Sequence, residues 1–122
     1  MKFTEREFAK VARVKAIEAI GDLCDAGTGM SRTMEELITC KCFNTLSRTR
    51  EILFEGKEEG VGITRNDLIR IVAKASVDGD NEHHFMECLG PLGFMAVTIM
   101  ESKMIVAICD ELSKEEKTNG NN

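Results

Sequence analysis

LGFMAVTIMESKMIVAICDEL, residues 92–112, is the stretch on which the reading of the fold turns. Between Leu92 and Cys109 its only polar side chains are Thr98 and the run Glu101, Ser102 and Lys103. At a helical period Thr98, Glu101 and Ser102 fall together, whereas Lys103 lies well round the cylinder and apolar residues fill the remaining sectors. A helix with so little wet face has to be surrounded by protein. The expectation is therefore an all-α, compact bundle of four or five helices with this nearly all-apolar C-terminal helix at its centre. A domain of this size surrounds one helix incompletely, so a second copy is expected to complete it, making a homodimer. Met95, Val97, Met100, Met104 and Ile108 are the partner-binding candidates.

A rival reading places two strands, 96–100 and 104–108, about a turn at Glu101, Ser102 and Lys103, because both runs are rich in β-branched residues. The connection lacks Gly, Asn or Asp, and the alanines and methionines suit a helix better. Upstream, Gly90-Pro91 interrupts the helical pattern, and Pro91 fits best as the first residue of the last helix. A single kinked helix from Glu82 to Leu112 is the alternative.

Two helix starts share one code. Thr4 can cap the amides of the first turn, Glu7 can return the bond, and Phe3 can pack on Phe8. Thr64, Asp67 and the pair Ile63 and Leu68 repeat the arrangement. The first helix is expected over 5–24, with Phe8, Val11, Ala12, Ile17, Ile20 and Leu23 inward, ending near Gly27 or Gly29. A second, capped by Ser31 or Thr33, runs to Gly56 and lines its inner face with Met34, Leu37, Ile38, Cys42, Leu46, Leu53 and Phe54. Three glycines at 56, 60 and 62 read as a mobile loop. A third helix over 65–76 presents Leu68, Ile69, Ile71, Val72 and Ala75 and stops at Asp78-Gly79; Asn81 caps a short fourth helix.

The 122 residues fit one domain, read as 1–115 with a polar tail over 116–122 that frays after Lys114. With 43% hydrophobic and 30% charged residues the composition is that of a globular chain. Glu101 and Lys103 interrupt the one candidate membrane span, and the charged N-terminal residues do not resemble a secretory signal, so no membrane role and a cytoplasmic location are expected. Five cysteines, 24, 40, 42, 88 and 109, are an odd number without the density of a disulfide scaffold and read as free thiols.

No metal or other cofactor is expected. His84 and Cys88 have metal-ligand spacing, but Cys40 and Cys42 point to nearly opposite sides of a helix and cannot both complete the set. Counted from Asp78 as a calcium loop, the sixth and twelfth places hold His83 and Leu89 instead of glycine and an acid. No triad, Gly-rich phosphate loop or H-E-x-x-H signature is present, and no catalytic activity is expected.

The formal charge of -5 is uneven. Residues 1–50 carry nine Lys and Arg against seven Asp and Glu, and residues 51–122 carry seven against fourteen. The expected function is a non-catalytic protein-binding regulator, an adaptor or inhibitor acting through helical surfaces and presenting acidic groups to a basic site. The alternative is a nucleic-acid-binding regulator that uses Lys2, Arg6, Lys10, Arg13, Arg48 and Arg50, with Lys41 standing apart from that stripe. A third reading is a small-ligand sensor with its pocket between helices.

Overall fold

The computed structural model describes residues 1–25, 31–57, 59–77 and 82–120, with side chains throughout except at 82–86, 88, 92 and 115–120. Its helices are α1 (Glu5–Asp25), α2 (Arg32–Phe54), α3 (Arg65–Val77) and α4 (Glu82–Gly120), and its strands are β1 (Lys2–Phe3) and β2 (Val61–Gly62). Each helix lies beside the next and α4 closes the ring against α1, while α2 and α4 also touch across the diagonal. Ion pairs from Arg50 to Glu5 and from Arg65 to Asp110 join the start of one helix to the latter part of its neighbour, so α1 and α2, and likewise α3 and α4, run antiparallel.

The helix starts form as the sequence dictates. Thr4 N donates to Glu7 Oε1 at 3.1 Å and Glu7 N donates to Thr4 Oγ1 at 3.2 Å, a reciprocal box that satisfies amides the first turn would orphan. Phe3 stacks on Phe8 with ring centroids 6.0 Å apart, and Phe54 closes the triangle at 5.9 and 6.1 Å. Ser31 caps α2 by accepting from Met34 N, which leaves Thr33 inside the first turn, and Thr64 caps α3 by accepting from Asp67 N. At Gly90 the backbone leaves the helical region (φ 73, ψ 170) and Pro91 restarts it, so α4 is two helical runs joined at that residue. The two-strand rival is excluded because residues 91–112 are helical throughout. The Gly27 or Gly29 stop, the Asp78-Gly79 turn and the Asn81 cap lie outside the described residues.

Several expectations are corrected. The last helix is not enclosed on all sides: in a four-helix ring each helix sits at a corner and turns only part of its circumference to the core. Val97, Met100, Met104, Ile105, Ile108 and Leu112 face inward, while Met95, Ile99 and Val106 remain exposed. On α1, Ala16 occupies the core position and Ile17 is 54% exposed. α4 continues to Gly120, past the Lys114 at which its polar composition predicts fraying. By length and composition Leu89–Lys114 is sufficient to cross a membrane, yet its inward face is used within the bundle.

The glycine loop is tied down in its second half. Phe3 pairs with Val61 and Lys2 with Gly62 in an antiparallel register, extended by Ile63 N donating to Met1 O at 2.8 Å. Gly60 makes the approach possible: its φ is +100, and a Cβ there would lie 2.7 Å from Phe3 O. Gly56 also has a positive φ but open space around it. Gly60→Ala is therefore expected to destabilise the fold by about 2–3 kcal/mol and Gly56→Ala by about 1 kcal/mol. Urea unfolding of the two variants side by side checks this, with equal losses contradicting the assigned close approach.

Candidate interaction groove and buried polar centre

The chemistry-bearing side chains gather in two places, one inside the bundle and one on its surface. Inside, α2 turns Lys41, Thr45 and Thr49 inward at i, i+4 and i+8. Thr45 and Thr49 donate their hydroxyls to carbonyls one turn back, at 3.0 and 2.8 Å, and so need no further partner. Lys41 has no such local solution. Its Nζ donates to Glu101 Oε1 at 2.6 Å across the bundle and to Ser76 Oγ at 3.2 Å on α3, while Ser76 donates to Glu101 Oε2.

The Lys41 and Glu101 side chains are 9% and 5% exposed. Removing two charges from water costs several kcal/mol per ion, and only full pairing with good hydrogen bonds offsets it. Here the carboxylate accepts on both oxygens, and among the described residues no buried side-chain nitrogen or oxygen lacks a partner. A lysine touching a serine is also the pair from which some hydrolase nucleophiles are built. In this arrangement Lys41 Nζ and the Ser76 hydroxyl both donate to Glu101.

Cys42 and Cys109 are buried and Cys40 is exposed. Burial, reinforced by the Glu101 carboxylate and partly opposed by Lys41, pushes the Cys42 thiol up to about 12. Burial likewise raises Cys109 to about 11. Desolvation and then Glu35 raise Cys24. Among the described residues no three His, Cys, Asp or Glu side chains converge as a metal set. The side chains of His83, His84 and Cys88 fall outside the described ones.

On the surface, a groove of about 680 Å³ lies between α1 and α2. Arg6, Lys10 and Arg13 line its α1 wall and Arg50 its α2 wall, with Ala9, Ala12, Val14, Phe43 and Leu46 between them. No acidic side chain lines this groove, although Glu5 stands at its end, paired with Arg50 at 3.1 Å. Beyond Arg50 the adjoining hollow turns acidic, with Glu5, Glu51 and Glu55. The structure thus unites four of the six cations singled out from the sequence. Lys2, in β1, and the half-buried Arg48 do not line the groove.

The other candidate face fares differently. Of the five partner-binding residues expected on the last helix, Val97, Met100, Met104 and Ile108 belong to the core of the single chain, and Met95 alone is exposed, at 59%. Helical periodicity identifies them as apolar but does not say which neighbour covers them. A smaller hollow of about 270 Å³ lies between α1 and α4, with Ala96, Ile99 and Leu23 between the charged rims Lys15, Glu18, Asp22 and Lys103. Compared with protein-family models, curated proteins and solved structures, the chain gives no match.

Lys41→Met, which strands the Glu101 carboxylate, is expected to cost about 3–5 kcal/mol, whereas Lys41→Met with Glu101→Leu and Ser76→Ala should recover most of the loss. Equilibrium unfolding of the single and triple variants reads this, and a single variant as stable as wild type would contradict it. For the thiols, a raised folded value means that stability is intact below the ordinary 9.0 and declines as pH rises from there toward 12. Alkylation at pH 8 followed by peptide mass mapping should label Cys40 promptly and Cys42 and Cys109 only as the chain unfolds; prompt labelling of all three would refute their burial.

Proposed function

We propose that this protein is a non-catalytic protein-binding regulator, an adaptor or inhibitor, that receives an anionic surface of its partner in the α1/α2 groove. The observation that carries the reading is the convergence of Arg6, Lys10, Arg13 and Arg50 on one groove in a chain whose formal charge is -5. Cations clustered against the sign of the net charge raise the local potential and steer an oppositely charged partner. The direction of complementarity is thus the reverse of the one expected from the acidic second half: the groove offers positive charge. Self-association through α4 carries less of the reading. Its exposed apolar side chains Met95, Ile99 and Val106 are few beside the roughly 20–30 residues a side of a stable interface.

The same four cations favour nucleic acid as the second reading, with phosphates in place of carboxylates. Capture from a cell extract on immobilised full-length protein separates the two. Under the proposal a protein is retained by wild type and by Lys74→Glu on α3, is lost with Arg6→Glu/Arg13→Glu, and survives nuclease treatment. The first-turn position of Arg6 tolerates an acid, so the double variant is expected to stay folded. Nuclease-sensitive retention would transfer the function to nucleic acid, and retention indifferent to the double charge reversal would overturn the groove as the site.

A further inference from the structure

We infer that the occupant of the α1/α2 groove is an acidic amphipathic helix of a partner protein, an inference that rests on the groove being the binding site. The walls supply the first reason. Both are helices whose backbone hydrogen bonds are internal, and the only strands among the described residues, β1 and β2, do not line the groove. An extended peptide would find no edge with which to pair, whereas a helix brings its backbone groups already satisfied.

The shape agrees. Ala9 leaves the α1 wall low, which lets a helix backbone approach closely, and the half-buried Phe43 with the exposed Val14 gives apolar contact, while Ala12 and Leu46 beneath them belong to the core. The occupant therefore presents an apolar stripe. Arg6, Lys10 and Arg13 stand at i, i+4 and i+7 along α1 and so share one face over about 10 Å, two helical turns. Arg50 faces them from α2. Carboxylates flanking the apolar stripe on both sides, repeated over two turns, match this layout. A nucleic acid matches it less well. Its phosphates would meet the cations, but the apolar floor would go unused, and only Phe43 among the lining residues offers a ring on which a base could stack.

Glu5 adds a polarity to the site. It occupies Arg50 at 3.1 Å in the free protein, so an incoming carboxylate competes with it for the guanidinium. Glu5→Gln removes that competitor and is expected to tighten binding, whereas a merely structural role for the pair would weaken or leave it.

Fluorescence anisotropy with the full chain tests the inference using three labelled probes. One is a peptide of about 18 residues, long enough to be helical by itself, with a leucine stripe flanked by glutamates. The second has the same composition in an order that forms no face, and the third is oligo-dT. The patterned peptide is expected to bind at least about ten-fold more tightly than the shuffled one, a difference of about 1.4 kcal/mol. Arg6→Glu/Arg13→Glu should abolish that preference and Glu5→Gln should increase it. Equal binding of the two peptides, lost on the double reversal, overturns the helical occupant and leaves the groove as an anion site. Binding of oligo-dT without either peptide makes the occupant a nucleic acid. Silence from all three probes overturns the groove reading together with the inference.

Discussion

The contact between Lys41 and Glu101 is the constraint on which the rest of the bundle depends. It joins α2 to α4 across the diagonal and recruits Ser76 of α3, so three of the four helices meet at one polar point inside a mostly apolar core. Hydrophobic burial is non-directional and tolerates sliding of one helix along another. A buried ion pair does not, because a shift of one residue along α4 would leave both charges unpaired in a low-dielectric interior. The apolar layers on one side of it, formed by Leu68, Val72, Met104 and Ile108, then pack in the register this contact selects.

A second constraint acts at the opposite end of α2. The Phe3, Phe8 and Phe54 rings and the short β1–β2 pairing bind the N-terminal residues to the segment leading into α3. Two residue pairs would not make a stable sheet alone; here Val61 and Phe3 are both buried, so packing holds the ladder. With α1 anchored at its start by that cluster and α2 fixed in its first half by Lys41, the surface between them has a defined width. That is what turns a line of exposed cations on α1 into one wall of a groove and brings Arg50 to the other.

The legibility of these features depends on the range of the interactions that make them. Thr4 with Glu7, and Thr64 with Asp67, are readable because a cap needs only residues three apart and the backbone amides between them. Pro91 is readable because its ring forbids the geometry of a continuous helix wherever it stands. The inner faces of α2 and α3 emerge from a period of 3.6. Ile17 does not, because the inward line of α1 runs through Phe8, Ala12, Ala16 and Ile20 and leaves the residue after Ala16 outside. In the sequence Lys41 looks isolated and Glu101 looks like part of a polar cluster; the available signal is a lysine in line with Thr45 and Thr49 on the inner face of one helix and a carboxylate within an apolar run on another. Pairing them requires knowing that the two helices meet.

By itself, therefore, the sequence determined the class of the fold, the starts of α1, α2 and α3, the break at Gly90 and Pro91 and most of the residues that leave water, since each is set by local hydrogen bonding or by periodicity along one element. The tertiary structure alone decided that Lys41 meets Glu101 sixty residues away, that Val97, Met100, Met104 and Ile108 are core instead of interface, and that Arg50 joins Arg6, Lys10 and Arg13. The physical reason is common to all three. A helix specifies which side chains share its faces, but the partner of each face is chosen only when several helices, distant in sequence, compete for the same apolar and charged surfaces at once.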